Sequence, residues 1–176
     1  MTDFQLERMD IPFGIEIVIL DQTSRSQKKK LKKNISKNLF TLSKGCINDE
    51  FFEDAFNDSE ILIIGKDSNK FGKLQSIRGF ALIQLDKTQS EYLYLALLCC
   101  AERPNVKTRQ NNNYFRGTDF LSMLKCFCIN NYYQGITLYS LHQVMTYYYK
   151  YGWKLRTRTD TKYNLRGYDI HNLMEF

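Results

Sequence analysis

The chain has 176 residues, 43% of them hydrophobic, and a formal net charge of +6, which suffices for one domain with a sizeable core and shows no composition break that would divide it. Its first residues, MTDFQLERMD, are charged, and its longest apolar run falls well short of the roughly 20 residues a membrane helix requires, so neither secretion nor membrane insertion is expected. The five cysteines, Cys46, Cys99, Cys100, Cys126 and Cys128, are odd in number and lack C-x-x-C spacing, which reads as reduced core thiols of an intracellular protein, cytoplasmic or nuclear, without zinc.

In chain order, Gly14 to Leu20 alternates Ile15, Ile17 and Ile19 with Glu16, Val18 and Leu20 and predicts a first strand. From Arg25 the apolar spacing changes to three and four, with Leu31, Ile35, Leu39 and Leu42 forming one stripe of a long amphipathic helix that ends near Gly45. Lys28, Lys29, Lys30, Lys32 and Lys33 occupy its other face, a density that suits phosphates of a nucleic acid or an acidic partner. Asn48 or Asp49 can cap a short helix carrying Phe51, Phe52 and Phe56. Glu60 to Gly65 and Leu74 to Leu85 predict two strands, antiparallel because their connection is short, with a bulge or a loop-proximal start at Arg78-Gly79.

Tyr92 to Cys100 is an apolar run whose length suits a central strand covered on both faces, with Cys99 and Cys100 on opposite sides. Ala101 to Phe115 is polar and aperiodic, a loop that leads into a helix opened by Arg116-Gly117-Thr118-Asp119. That helix presents Phe120, Leu121, Leu124, Phe127 and Cys128 to a sheet. Ile136 to Tyr139 predicts a buried strand, His142 to Tyr151 a last helix stopping at Gly152, and Trp153 to Thr157 a final strand, with a polar remainder. A loop at the carboxyl end of a central strand that points into a helix amino end is suited to anions, because the first N–H groups of a helix lack partners.

This order, β-α-α-β-β-β-α-β-α-β, resembles the GNAT superfamily of acyl-CoA-dependent N-acetyltransferases over roughly Ile15 to Arg158. Tyr147-Tyr148-Tyr149-Lys150-Tyr151-Gly152-Trp153 is similar to the family's Phe-Tyr-x-Lys-x-Gly-Phe helix ending. Arg116-Gly117-Thr118-Asp119-Phe120-Leu121 stands at the place of its pyrophosphate loop, with Asp119 and Leu121 where that loop has a glycine and a small residue.

The resemblance implies an α/β fold, a central mixed sheet with helices on both faces. It implies a single domain over 1–176, its core about 14–158 and 159–176 an extension of unassigned structure. It implies acetyl-CoA between the strands Tyr92–Cys100 and Ile136–Tyr139, held by Leu98, Cys99, Cys100, Arg116, Gly117, Thr118 and Ser140, with Lys107 and Arg109 of the loop as further cations. A bulge after Leu98 would turn N–H groups to the thioester carbonyl, and Tyr148 would protonate the leaving thiolate while an amine, small or protein-borne, attacks directly. Glu91, Glu102 and His142 are the candidate bases, and no metal is implied. Two other readings stand beside this one: an inactive interaction protein whose cleft Asp119 and Leu121 close, and a nucleic-acid binder using the lysine face.

Overall fold

Only Ile19 of the first strand's five residues is buried, yet they form β1, Ile15–Ile19, because every residue pairs antiparallel with β2, Ile61–Ser68. The computed structural model describes residues 4–7, 9–11, 14–68, 74–86, 90–101, 117–141, 145–155 and 167–173. After a short 3-10 turn, Leu20–Gln22, helix α1 runs over Arg25–Ser36. Its start is closed reciprocally: Gln27 N–H donates to Ser24 Oγ at 3.3 Å and Ser24 N–H donates to Gln27 Oε1 at 3.3 Å.

The single long helix expected to reach Gly45 is two helices. The Asn38 side chain donates to the Asn34 carbonyl at 2.9 Å, a local bond that competes with continuation of the helix, and α2, Leu39–Ser43, starts anew. The apolar stripe survives the break, with Ile35, Leu39 and Leu42 all buried. Lys44 at φ 54° and Gly45 at φ 74° then turn the chain out of α2. Helix α3, Asp49–Asn57, is capped by Asn48, whose Oδ1 accepts from Phe51 N–H at 2.7 Å.

β2 pairs antiparallel with β3, Leu74–Leu85, and β3 with β4, Tyr92–Cys100. Gly65 opposes Gly79 and Lys66 opposes Ile77, so Arg78 is the extra residue of a bulge, where the sequence placed one. Helix α4, Gly117–Asn130, leads to β5, Gly135–Leu141, which lies parallel to β4. Then come α5, Met145–Lys150, and β6, Lys154–Leu155.

The tail contributes what its polar composition did not announce: β7, Gly167–Leu173, enters the sheet between β5 and β6, giving seven strands in the order β1-β2-β3-β4-β5-β7-β6. Pairing with β7 also carries β5 on through Ser140 and Leu141, beyond the expected end at Tyr139.

Helices cover both faces. Helices α1 to α3 place Ile35, Leu39, Leu42, Phe52 and Phe56 on Leu62, Ile64, Phe80, Leu82, Leu97 and Cys99. On the other face α4 sets Phe120, Met123, Leu124 and Phe127 against Ile61, Ile63, Ile83, Leu93 and Leu95. Strand β4 therefore sends Leu93 and Leu95 to one core and Leu97 and Cys99 to the other, although all four have the same parity. A bulge explains the exchange: Leu82 opposes Leu97 and Ile83 opposes Leu95, leaving Ala96 as the inserted residue.

The approach of α4 to the sheet depends on Gly79, where a Cβ would lie 2.7 Å from Phe120 Cε2 and 2.8 Å from the Cys99 carbonyl oxygen. Gly79→Ala should cost about 1–3 kcal/mol through overpacking. Urea unfolding of the two proteins measures it, and equal midpoints would show that α4 yields without cost.

Candidate functional site

The parallel pairing of β4 with β5 covers only Tyr92–Tyr94 against Gly135–Thr137. Beyond it β4 stays bonded to β3 as far as Cys100 and β5 to β7 as far as Leu141, so each strand keeps its outer partner while the two separate from each other. A cavity of about 760 Å³ fills the opening. At one end it is walled by Gly117 and Thr118 at the amino end of α4 and by Tyr147, Tyr148 and Tyr151; at the other by Leu42, Ser43, Lys44, Cys46, Ile47 and Phe51.

Of the residues singled out in the sequence, Leu98, Cys99, Cys100, Gly117, Thr118, Ser140 and Tyr148 all line this one cavity. Arg116, Lys107, Arg109, Glu102 and His142 lie outside the described residues. Glu91 is exposed just before β4 and does not line the cavity. The β4 bulge expected after Leu98 lies at Ala96, two residues earlier than Leu98 and two past Tyr94, the last residue that pairs with β5. Among the described residues, β4 has no strand opposite it on the β5 side from Leu95 onward.

Asp119 and Leu121 do not line the cavity; Leu121 packs against the α4-side core instead. Position 121 is one turn into α4, next to the buried Phe120, and its apolar side chain follows that face.

Tyr148 is fixed by its neighbours. Its ring meets Tyr147 and Trp153 edge-on, each at a centroid distance of 5.4 Å. Gly152, at φ 86°, ends the helix in the left-handed region and lets Trp153 N–H return to the Tyr148 carbonyl at 3.2 Å. Burial pushes the Tyr148 hydroxyl far above its ordinary value, with Tyr147 and Cys99 adding to the effect, so it is protonated at any working pH.

Tyr147, absent from the sequence-based list, stands over the start of α4: a Cβ at Gly117 would come within 2.9 Å of its hydroxyl oxygen. Burial, then Tyr151, Cys100 and Asp119, raise the Tyr147 hydroxyl to about 12. A run of four tyrosines around one lysine gave no indication of which rings face a cleft, whereas the i, i+4 pair Tyr147 and Tyr151, 5.1 Å apart, is what helix geometry brings to one side.

The lysine face of α1 is partly met within the fold. Lys32 Nζ lies 2.7 Å from Glu53 Oε1 of α3, a helix that also carries Asp49, Glu50 and Asp54. Lys29, Lys30 and Lys33 remain exposed. Among the described residues, no helix is long and apolar enough to cross a membrane. The cysteines divide: Cys99 and Cys128 are buried, Cys100 is intermediate, and Cys46 and Cys126 are exposed, contrary to the expectation of core thiols throughout. Cys126 sits on the solvent side of α4 between buried Leu124 and Phe127, and Cys46 follows the turn out of α2.

No protein-family model matches the chain, and no curated protein matches it. Solved structures do match. A putative N-acetyltransferase from Lactobacillus plantarum is similar with a TM-score of 0.62 at 7% identity, over 92% of this chain and 99% of that one. An acetyltransferase from Streptococcus agalactiae is similar with a TM-score of 0.55 at 14% identity, over 92% and 99%. The catalytic domain of the Tetrahymena GCN5 histone acetyltransferase, in complex with coenzyme A, is similar with a TM-score of 0.53 at 17% identity, over 91% of each chain. The chain has the GNAT acetyltransferase fold, an α/β fold around a mixed sheet, as the resemblance implied.

Burial raises the Cys99 thiol from 9.0 to about 12, with Cys100 and Cys46 adding to it. A folded value above the unfolded one means stability that is complete below pH 9.0 and is lost as pH rises toward about 12. Denaturant midpoints should therefore fall across that window, and less steeply in Cys99→Ala. At pH 8 a thiol reagent should label Cys46 and Cys126 promptly and Cys99 and Cys128 only after unfolding, which mass spectrometry of the labelled peptides decides.

Proposed function

We propose that the protein is an N-acetyltransferase that binds acetyl-CoA in the cleft between β4 and β5 and passes its acetyl group to an amine. The observation that carries the reading is the opening itself: a cavity through the parted strands with the amino end of α4 at one side and a tyrosine-bearing helix over it. The fold is shared with GCN5, whose structure holds coenzyme A. Gly117 and Thr118 would receive the donor's phosphates at the helix amino end. Leu98, Cys99, Cys100 and Ser140 would border its pantetheine arm, and the unpaired edge of β4 beside Ala96 would offer N–H groups to the thioester carbonyl.

The amine nitrogen bonds to the acetyl carbon, the carbon–sulfur bond breaks, and sulfur leaves as thiolate. Tyr148 supplies the hydrogen bond and proton that charge requires, and the proton released from the attacking nitrogen passes to solvent and restores the phenol. Burial keeps the phenol protonated but also makes it a weaker acid, so the hydrogen bond it gives the leaving sulfur is the larger part of its role.

Acetyl-CoA should raise the melting temperature in proportion to RT ln(1 + [L]/Kd). Tyr148→Phe should keep that shift and lower turnover by roughly 10²–10⁴-fold. No melting shift at millimolar acetyl-CoA would defeat the reading, and full turnover in Tyr148→Phe would remove Tyr148 from it.

A further inference from the structure

The outer face of α1 carries cations that the fold does not meet. Lys32 turns to α3, where Glu53 holds it, and Ser36, one turn on, faces Asp49 of the same helix. Lys29, Lys30, Lys33 and Lys37 are exposed, and among the described residues none of the four has an ion-pair partner. At 3.6 residues per turn they fall within about 100° of arc, on the side of the helix away from the apolar stripe of Leu31 and Ile35. Lys29, Lys33 and Lys37 follow one another at i, i+4, and Lys30 lies three before Lys33, so each cation neighbours another of its own sign and weakens the helix. A row of unmatched like charges falls in energy when a polyanion lies along it.

Two features narrow the polyanion. The row is one helix wide and about 12 Å long, eight residues at about 1.5 Å each, and α3 with Asp49, Glu50, Glu53 and Asp54 borders it on the Lys32 side. A duplex or an anionic bilayer is broad enough to bring its charge against those carboxylates, whereas a single strand follows the row without meeting them. The second feature is Phe40, three residues beyond Lys37 and so within about 11 Å of it between Cα atoms. Its side chain is 79% exposed and seated beside Gly45, where a Cβ would lie 2.9 Å from Phe40 Cε2. An aromatic ring left in water offers a face on which a nucleobase stacks, while an acidic peptide supplies carboxylates for the lysines and no flat partner for the ring.

We infer that α1 is a contact surface for single-stranded nucleic acid, with phosphates along Lys29, Lys30, Lys33 and Lys37 and a base stacked on Phe40. None of these five residues lines the cavity, and the inference does not rest on acetyl transfer.

Fluorescence anisotropy of the full chain with a short labelled oligo-dT tests it. Binding at low salt is expected, with log K falling against log salt at a slope of about −2.8, which is about −0.7 for each of four phosphates. Lys29→Gln with Lys33→Gln should flatten that slope to about −1.4, and the melting temperature should hold or rise because like charges are removed. Phe40→Ala should weaken binding about tenfold at an unchanged slope, and Phe40→Trp should keep it. The inference is overturned if the oligonucleotide does not bind at low salt, if the double lysine variant keeps the wild-type slope, or if Phe40→Ala binds as the wild type does. Duplex DNA, polyglutamate or phosphatidylserine vesicles binding as tightly as the single strand would overturn it as well, by showing a surface that takes any polyanion.

Discussion

The cavity in this molecule follows from the point where β4 and β5 stop pairing. Parallel strands held together along their full length would leave no room between them; here three residue pairs, ending at Tyr94 and Thr137, are followed by divergence. Separation leaves the N–H and C=O groups on the facing edges of the two strands without a strand partner, while bonds on their outer edges, to β3 for β4 and to β7 along the whole of Gly135–Leu141 for β5, keep each strand in the sheet. At the closed end, Thr137 Oγ1 lies 3.1 Å from Asp86 Oδ2 and 3.3 Å from the Leu93 carbonyl, tying the strands together just before they part.

The bulge at Ala96 converts that opening into a passage with two differently made ends. By exchanging the faces of β4 it lets Leu93 and Leu95 anchor the strand on the α4 side and Leu97 and Cys99 on the helix α1–α3 side. Past it, Leu98 and Cys100 turn toward the α4 side, where Tyr147 and Tyr148 stand. One end of the cavity is accordingly bordered by a helix amino end and three tyrosines, the other by Leu42, Ser43, Lys44, Cys46, Ile47 and Phe51.

Much of this was legible in the chain. Period-two and period-three-and-four patterns located β1 to β5, α3, α4 and the one helical stretch that divides into α1 and α2, because one-sided burial imposes them directly on residue type. Arg78-Gly79 marked its bulge, Asn48 its cap and Gly152 the end of α5, each being a position where local backbone geometry selects the residue. The tyrosine-lysine-glycine ending was the reason Tyr148 could be singled out, and the structure brings it to the same cavity as Leu98, Cys99, Cys100, Gly117, Thr118 and Ser140.

What the sequence could not express were properties of pairs distant along the chain. The break at Asn38 depends on one side chain preferring a carbonyl four residues back, and the stripe Leu31, Ile35, Leu39, Leu42 reads alike with or without it. β7 has a polar composition, and only its pairing with β5 along Gly135–Leu141 brings it into the sheet. The bulge at Ala96 leaves the alternation of Tyr92–Cys100 unbroken, since both faces of that strand are apolar, and only the register against β3 reveals it. Ser43 and Tyr139 are nearly 100 positions apart; α2 packing against β4 and the end of the β4–β5 pairing bring both residues to the lining of one cavity. Residue patterns along the chain determined which elements form and where they end, while cross-strand register and the parting of two neighbours, which have no local signature, decided where the cavity lies and what its walls are made of.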